Sequence, residues 1–187
     1  MLLDYHDHIE LDGVAYLIHN SHRNYITALK LIRSEKIFEE DKVELVLPLL
    51  FKDEIPKGKE VEAIQNYFNL FTEEHRPKRK GEPSFDIVQD ADYIYAGFMQ
   101  SYGMDLDNVD LKIEKFIALL KGLPTNTKLS DIIRIRTMPI PQRTKWNAQQ
   151  IADIIEAKHE FALDNQGRIQ GMGDFGKMIK EWARHGR

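Results

Sequence analysis

Apolar positions along the chain fall mostly at intervals of three and four residues, which predicts a mainly helical protein. The clearest run lies between Ser84 and Arg136, where a glycine at Gly103 and a turn at Pro124 separate three predicted helices. Asp86 is placed to accept hydrogen bonds from the free amides that begin the first of them. That first helix carries one apolar row, formed by Ile87, Ala91, Ile94, Tyr95, Phe98 and Tyr102.

The N-terminal residues alternate instead, which predicts a β-hairpin. Asp12-Gly13 is a preferred pair for a two-residue turn and would join the strands 5–11 and 14–18. Because a hairpin alone is marginally stable, its apolar face must cover another element. That face consists of Ile9, Leu11, Val14, Tyr16 and Ile18.

Three more helices are predicted before residue 72. Ser21 should cap one that runs to about Arg33. The next covers about 40–51, where Pro48 should kink or split it. Pro56 is expected to open the third, whose apolar row is Val61, Ile64, Phe68 and Phe71.

The C-terminal part is less regular. The prolines of Met138–Pro141 predict an extended stretch, and a helix should then run from Thr144 or Asn147 to about Leu163. Lys158 interrupts the apolar row of that helix, which predicts a weaker core element. A final short amphipathic segment carries Phe175, Met178, Ile179 and Trp182.

These elements predict a multi-helix globular domain, mainly α, with a small N-terminal antiparallel β-hairpin and about six to eight helices. Residues 1–72 would hold the hairpin and the first helices, and 73–84 would form an exposed linker loop without periodic apolar residues. Residues 85–163 would form the helical remainder of the same domain. Residues 164–187, which hold four glycines between 167 and 176, are predicted to be a flexible tail.

Composition narrows the range of functions. The 187-residue chain is 42% hydrophobic and 30% charged, with a net charge of −4, which is ordinary for a protein in aqueous solution and argues against nucleic-acid binding. The absence of cysteine excludes disulfides, thiolate metal sites and cysteine nucleophiles. We expect no signal peptide, and without an apolar run of about 18 residues we expect no membrane span.

The hairpin histidines are the best metal candidate. If Leu11 pairs with Val14, His6 lies opposite His19 and His8 lies on the same face, an arrangement that could hold zinc. The competing interpretation is that this face, opposite the apolar one, is simply the solvent face. We favour the solvent face, and we predict no metal and no cofactor.

Acidic and basic clusters offer other candidate sites. Asp86, Asp90 and Asp92 resemble a paired-carboxylate site, but helix capping and the helix dipole already explain acids in a first turn. Asp105–Asp110 begins like a calcium loop but lacks its turn glycine and closing glutamate. The cluster 76–80 is basic but is best explained as a solvated loop. We therefore predict no catalytic residues and no enzyme activity.

Several motifs occur in the order of a known phage family. The runs D-x-x-x-D-A-D-Y-I-Y-A-x-F-x-x-x-Y-G-x-D-L and F-x-A-L-L-x-G-L-P-x-x-T-x-x-x-x-I-x-x-x-R follow LDYHDHIELDGVAYLI and LLFKDEIP. Over about Leu2 to Arg136 the chain resembles the bacteriophage family named after gene product fifteen, found in tailed phages and prophages of Gram-positive hosts. Where that family usually has L-H-W-W-K-F, this chain has Leu111–Phe116 as LKIEKF.

The resemblance implies a non-enzymatic tail assembly factor, encoded beside the tape-measure protein. A tail assembly chaperone would bind the helical tape-measure protein, keep it soluble and help tail-tube subunits polymerise in the host cytoplasm. Such a protein needs an adaptable apolar surface and would also associate with itself. The candidate partner-binding residues are Tyr93, Met99, Tyr102, Met104, Phe175, Met178, Ile179 and Trp182.

Two alternatives remain open from the sequence. One is a structural tail or connector component of the virion, for which Pro139 and Pro141 and the glycine-rich tail would be arms reaching neighbours. The other is a small metal-dependent enzyme that uses the hairpin histidines. The tape-measure protein, and secondarily the tail-tube protein, are the expected partners, with no nucleic acid or membrane.

Overall fold

The computed structural model describes residues 3–71 and 84–164, and within them seven helices accompany one N-terminal hairpin. The strands are β1 (His8–Leu11) and β2 (Val14–Leu17), and the first three helices are α1 (His22–Arg33), α2 (Glu39–Leu50) and α3 (Glu60–Leu70). The remaining helices are α4 (Ala91–Tyr102), α5 (Ile113–Lys121), α6 (Lys128–Thr137) and α7 (Ala148–Glu160). The predicted class, mainly α with a small hairpin, is confirmed.

The hairpin has the predicted turn and register. Leu11 pairs with Val14, and Asp12 and Gly13 both have positive φ angles, 51° and 79°, as a primed two-residue turn requires. Ile9 and Leu11 are buried as expected, but Val14, predicted to share their face, is 53% exposed. Beyond the ladder, Ile18 forms a bridge with Phe51 at the end of α2, so the hairpin is fixed to the helices.

The predicted helix boundaries hold at some positions and fail at others. The Ser21 side chain accepts from the Asn24 amide and caps α1, and Gly103 ends α4 with a φ of 61°. Pro48 lies inside α2 without splitting it. The prediction that Pro56 opens α3 is wrong, because Pro56 begins a separate turn whose carbonyl accepts from the Lys59 amide.

The start of α4 also differs from the prediction. The helix begins at Ala91, because residues 87–90 form a turn ahead of it. The Asp86 carboxylate does accept the amides of Val88 and Gln89, each at 2.8 Å, but it closes this turn instead of the first helical turn. At the far end, α7 starts at Ala148 as predicted and stops at Glu160, before Leu163.

Two apolar clusters hold the fold together. The first lies under the hairpin and between α1, α2 and α3, and its centre is aromatic, with Tyr67 within 6.5 Å of the rings of Tyr25, Phe68 and Phe71. The second lies between α4, α5 and α6, where the Phe116 ring stacks on that of Phe98 at 5.3 Å. Residues that contact both clusters join them: Ile26, Ile87 and Ile117.

Some predicted features lie outside the described residues. These are nearly all of the linker 73–84, with its basic cluster, and all but the first residue of the tail 164–187. The predicted partner-binding residues Phe175, Met178, Ile179 and Trp182 belong to this part of the chain. Among the residues that are described, no helix is long and apolar enough to cross a membrane.

Candidate partner-binding surface

The hairpin histidines do not converge on a common point. The His6 Nδ1 lies 3.0 Å from the Glu114 carboxylate and its ring meets the edge of Phe71, whereas the His8 Nδ1 lies 2.7 Å from Asp7. Within residues 3–71 and 84–164, no three histidine or acidic side chains lie close enough to share a metal ion. The geometry therefore gives no support to the metal-dependent alternative.

Glu114 instead joins the N-terminal residues to α5. Its carboxylate accepts from the His6 amide at 2.8 Å and from the Asn20 side-chain amide at 2.8 and 3.0 Å, while the side-chain oxygen Oδ1 of Asn20 accepts from the Ile113 amide. Burial alone would raise the pKa of Glu114, but these hydrogen bonds outweigh it and lower the pKa below its ordinary value. The Glu114 carboxylate therefore joins two segments that are about 100 residues apart in the sequence.

The acids at the start of the α4 region are held in ion pairs. Both oxygens of Asp86 accept from the Arg33 guanidinium, at 2.8 and 2.9 Å, and those of Asp90 accept from Arg136 at 2.6 and 2.8 Å. Asp90 also accepts the Asp86 amide, and it is only 1% exposed. Asp86 and Asp90 lie at the two ends of the turn ahead of α4, so they do not share a helix face. Carboxylates already paired with arginine and backbone amides have a structural role here.

Arg136 connects three segments of the chain. Besides Asp90, its guanidinium donates to the carbonyls of Ser84 and Phe161, and its own carbonyl accepts from the Lys158 ammonium. One buried side chain therefore fixes α6, the residues before α4 and the end of α7 relative to each other. Sequence reasoning singled out the two acids but missed their arginine partners, which lie 46 and 53 residues away.

The acids that follow α4 close their own turn. The Asp105 carboxylate accepts from the Asn108 side chain at 2.6 Å, the Asp107 amide at 3.0 Å and the Tyr95 hydroxyl at 3.2 Å. These bonds, with that of Asn108 foremost, lower the pKa of Asp105. The turn therefore needs no cation to explain its acidic composition.

The four predicted partner-binding residues on and after α4 are not equally available. Tyr93, Tyr102 and Met104 are partly buried against the second cluster, and the Tyr102 hydroxyl donates to the Leu119 carbonyl at 2.9 Å. Met99 points outward and is 43% exposed. A partner that approaches this side of α4 would therefore meet Met99 first.

Several exposed apolar residues lie on α7 and in the stretch before it, and the sequence prediction did not include them. Residues 139–146, which lead into α7, are all exposed, and among them Trp146 is 93% and Ile140 is 53% exposed. In α7 itself no residue is buried, and Ile155 is 49% exposed. We call Ile140, Trp146, Ile155 and the outward side of α7 the α7 surface. The sequence did contain a signal for this exposure, which was the break in the apolar row at Lys158. A helix whose apolar row is incomplete packs against the protein on one side only.

Comparison with known families agrees with the order of the motifs. A model of the family described as bacteriophage Gp15 protein matches residues 4–163, which is most of the chain. The match covers both apolar clusters and α7 and ends just before the residues that the structure leaves undescribed. Searches of curated proteins and of solved structures find no match.

Proposed function

Because the chain belongs to the bacteriophage Gp15 protein family, which supports a structural or assembly role in phage, we propose that it is a non-enzymatic tail assembly factor. More specifically, it acts as a chaperone in the host cytoplasm, where it binds the helical tape-measure protein and aids polymerisation of the tail tube around it. The resemblance seen in the motifs is what suggests this client.

The observation that carries the proposal is the α7 surface. Monomeric proteins rarely leave a tryptophan 93% exposed beside a helix that buries none of its residues, and such surfaces are typical of interaction sites. An amphipathic client helix would pack its apolar row along α7, with Trp146 as a large anchor. Asp153, Glu156 and Glu160 line the same helix and would favour a client with basic residues beside its apolar row.

A structural role in the virion is the second candidate, and one observation favours it. The stretch 138–143 lies outside any helix or strand, holds Pro139 and Pro141 and is exposed from 139 onward, as an arm that contacts a neighbouring subunit would be. A chaperone leaves the particle after assembly, whereas a structural component stays. Mass spectrometry of purified virions separates the two roles.

The client is tested by co-expression with fragments of the tape-measure protein. We expect the full chain to keep such a fragment soluble and to copurify with it, and the double variant Trp146→Ser, Ile155→Ser to lose both effects. The control is Val14→Ser, Leu17→Ser, which alters two apolar residues of the hairpin whose exposed fractions (53% and 47%) are close to that of Ile155 (49%). If both double variants bind the fragment as well as the unaltered chain, the α7 surface is not the client site.

A further inference from the structure

The two outer edges of the hairpin differ in how their backbone groups are satisfied. The Ile18 amide donates to the Asp7 carbonyl, which sets the alternation of hydrogen bonds along the ladder between β1 and β2. In this register His8 and Glu10 turn their amides and carbonyls away from β2, and Leu17 turns its own away from β1. The partners of these outward groups therefore decide whether either edge can accept another strand.

The outer edge of β2 is closed by the residues that follow α2. The Leu17 amide donates to the Asp53 carboxylate at 2.6 Å, and the Leu17 carbonyl accepts from the Lys52 amide at 2.9 Å. A side chain and a crossing backbone segment thus occupy the groups with which a further strand would pair, which is a common way to protect an edge.

The outer edge of β1 is open by comparison. In the part of the chain that the structure describes, no hydrogen bond reaches the amides of His8 and Glu10 or the carbonyl of His8. The Glu10 carbonyl accepts only from the Asn66 side chain, at a long 3.4 Å. A groove runs beside this edge and is lined by Ile9, Glu10, Asn66, Asn69 and Leu70. A strand placed in the groove would find backbone groups with which it can pair.

A second copy of β1 fits these groups in one register. If the two strands run antiparallel with His8 opposite Glu10, the outward groups of both copies form four hydrogen bonds. Each imidazole then faces a carboxylate on the exposed side of the sheet, which is a favourable cross-strand pair. Placing Glu10 opposite Glu10 would bring two carboxylates together. Placing His8 opposite His8 would need the backbone of His6, whose amide and carbonyl are already bonded to Glu114 and Asn20.

We therefore propose that two copies of the chain join through their β1 strands and form one four-stranded sheet in the order β2-β1-β1-β2. The two-fold axis passes between the two Ile9 residues, perpendicular to the sheet, so that both copies keep Ile9 and Leu11 on the core side. The closed edges of β2 lie at the two ends of this sheet, so assembly stops at a dimer instead of continuing as a fibre.

This pairing uses different elements from the α7 surface. The strand β1 packs on α3, whereas α7 packs on α6. The dimer therefore does not depend on the proposed function, and the tests of association use the purified chain alone. A dimer would present two α7 surfaces to a client, and only this consequence rests on the proposed function.

A proline in place of Glu10 tests the edge directly. Proline has no amide proton, but the amide faces outward at this position, so the hairpin itself loses no hydrogen bond. The dimer would lose two of its four strand-to-strand bonds, so we expect Glu10→Pro to raise the dissociation constant at least about tenfold in sedimentation over a range of concentrations. The matched control is Ala15→Pro, which should leave the dimer unchanged. Ala15 lies opposite Glu10 on β2, is exposed and also turns its amide outward.

Substitutions at His8 test the register and leave the backbone groups intact. His8→Glu places a carboxylate opposite Glu10 at two positions in the dimer, so we expect it to weaken association about three- to tenfold. His8→Lys places opposite charges there and should associate at least as tightly as the unaltered chain. Equal dissociation constants for the two variants would overturn the proposed register.

Other outcomes would overturn the interface itself. These are a chain that stays monomeric up to about 1 mM, a dimer that survives Glu10→Pro, and oligomers that grow beyond two copies with concentration. If both proline variants lose the dimer equally, the proposal stands or falls with the difference between the two His8 variants. If the chain is monomeric and Glu10→Pro, but not Ala15→Pro, stops copurification with a tape-measure fragment, the edge binds the client instead of a second copy.

Discussion

The first cluster and α7 show two different ways in which helices are attached in this protein. In the first cluster, the rings of Tyr25 and Tyr67 are almost fully buried, and aromatic neighbours pack at their edges. In α7 no residue is buried, and hydrogen bonds from Arg136 and Lys158 to backbone carbonyls hold the end of the helix. Apolar packing therefore holds the helices of the first cluster in place, whereas polar contacts at one end hold α7.

This difference in burial distinguishes residues that stabilise the fold from residues that are free to bind a partner. A helix that contributes little buried apolar area adds little to the free energy of unfolding, so its apolar residues must be explained in another way. In the first cluster an apolar residue is explained by the core it fills. The exposed Ile155 on α7 and the exposed Trp146 just before the helix have no such explanation, which is why this region carries the proposed function.

The largest expected effect concerns a residue of the packed apolar core. Phe116 is 1% exposed and its ring stacks on both Phe98 and His22. We expect Phe116→Ala to lower the free energy of unfolding by about 3–5 kcal/mol in urea denaturation, because it leaves a cavity where the two clusters meet. Phe38→Ala is the control, since Phe38 is 76% exposed. A loss below about 1 kcal/mol for Phe116→Ala would show that this face is not a core.

A somewhat smaller loss is expected when Arg136, which holds the end of α7, loses its ion pair with Asp90. Asp90→Ala leaves the buried Arg136 guanidinium without its carboxylate, which we expect to cost about 3 kcal/mol. The loss should fall at the low end of the usual range, because Arg136 keeps the carbonyls of Ser84 and Phe161. Hydrogen exchange should show faster opening of α7 than of α3. Equal acceleration in both helices would mean that the pair supports the whole fold instead.

Acidification should weaken the junction of the two clusters before it affects α7. Burial lowers the pKa of His22 below its ordinary 6.5, although the Leu111 carbonyl and the Asp110 carboxylate oppose this. The native histidine stays neutral, and its Nδ1 accepts from the Leu111 amide at 3.1 Å. The unfolded chain therefore binds the proton more readily, so stability is complete above pH 6.5 and falls as the pH decreases below it.

Urea denaturation at pH 7 and at pH 5 tests this dependence, with His22→Gln as the control because glutamine does not titrate. The lowered pKa of Glu114 acts at lower pH, below its ordinary 4.5, and so leaves this interval largely unaffected. A decrease in stability between pH 7 and pH 5 that persists undiminished in His22→Gln would assign it to other groups.

Local signals were sufficient to predict the class of fold and several boundaries. The Asp12-Gly13 turn, the Ser21 cap and the Gly103 stop each depend on side chains or φ angles within a few residues, so the sequence contains what determines them. The starts of α3 and α4 were wrong because the residues ahead of them form separate turns. For α4, that turn is stabilised by Arg33 and Arg136, which are distant in sequence.

The candidate site shows the same limit. The positions where the family usually carries two tryptophans, Ile113 and Glu114 here, both face inward, since Ile113 is fully buried and Glu114 accepts from His6. No local pattern reveals a hydrogen bond that spans 108 residues. Tyr93 and Tyr102 were likewise predicted at a partner surface because an apolar row does not show which of its members the neighbouring helices cover. That question is decided by tertiary packing alone.

The smallest expected effect compares the two sides of α7 by the same substitution. Ile151→Ala removes a half-buried side chain on the side of α6 and should cost about 1 kcal/mol, less than a full burial would imply. Ile155→Ala, at an exposed position of α7, should change the free energy of unfolding by less than about 0.5 kcal/mol, as exposed substitutions usually do. Urea denaturation of the two variants measures the difference. If Ile155→Ala costs as much as Ile151→Ala, α7 is part of the cooperative core on both sides, and the contrast with the first cluster would have to be abandoned.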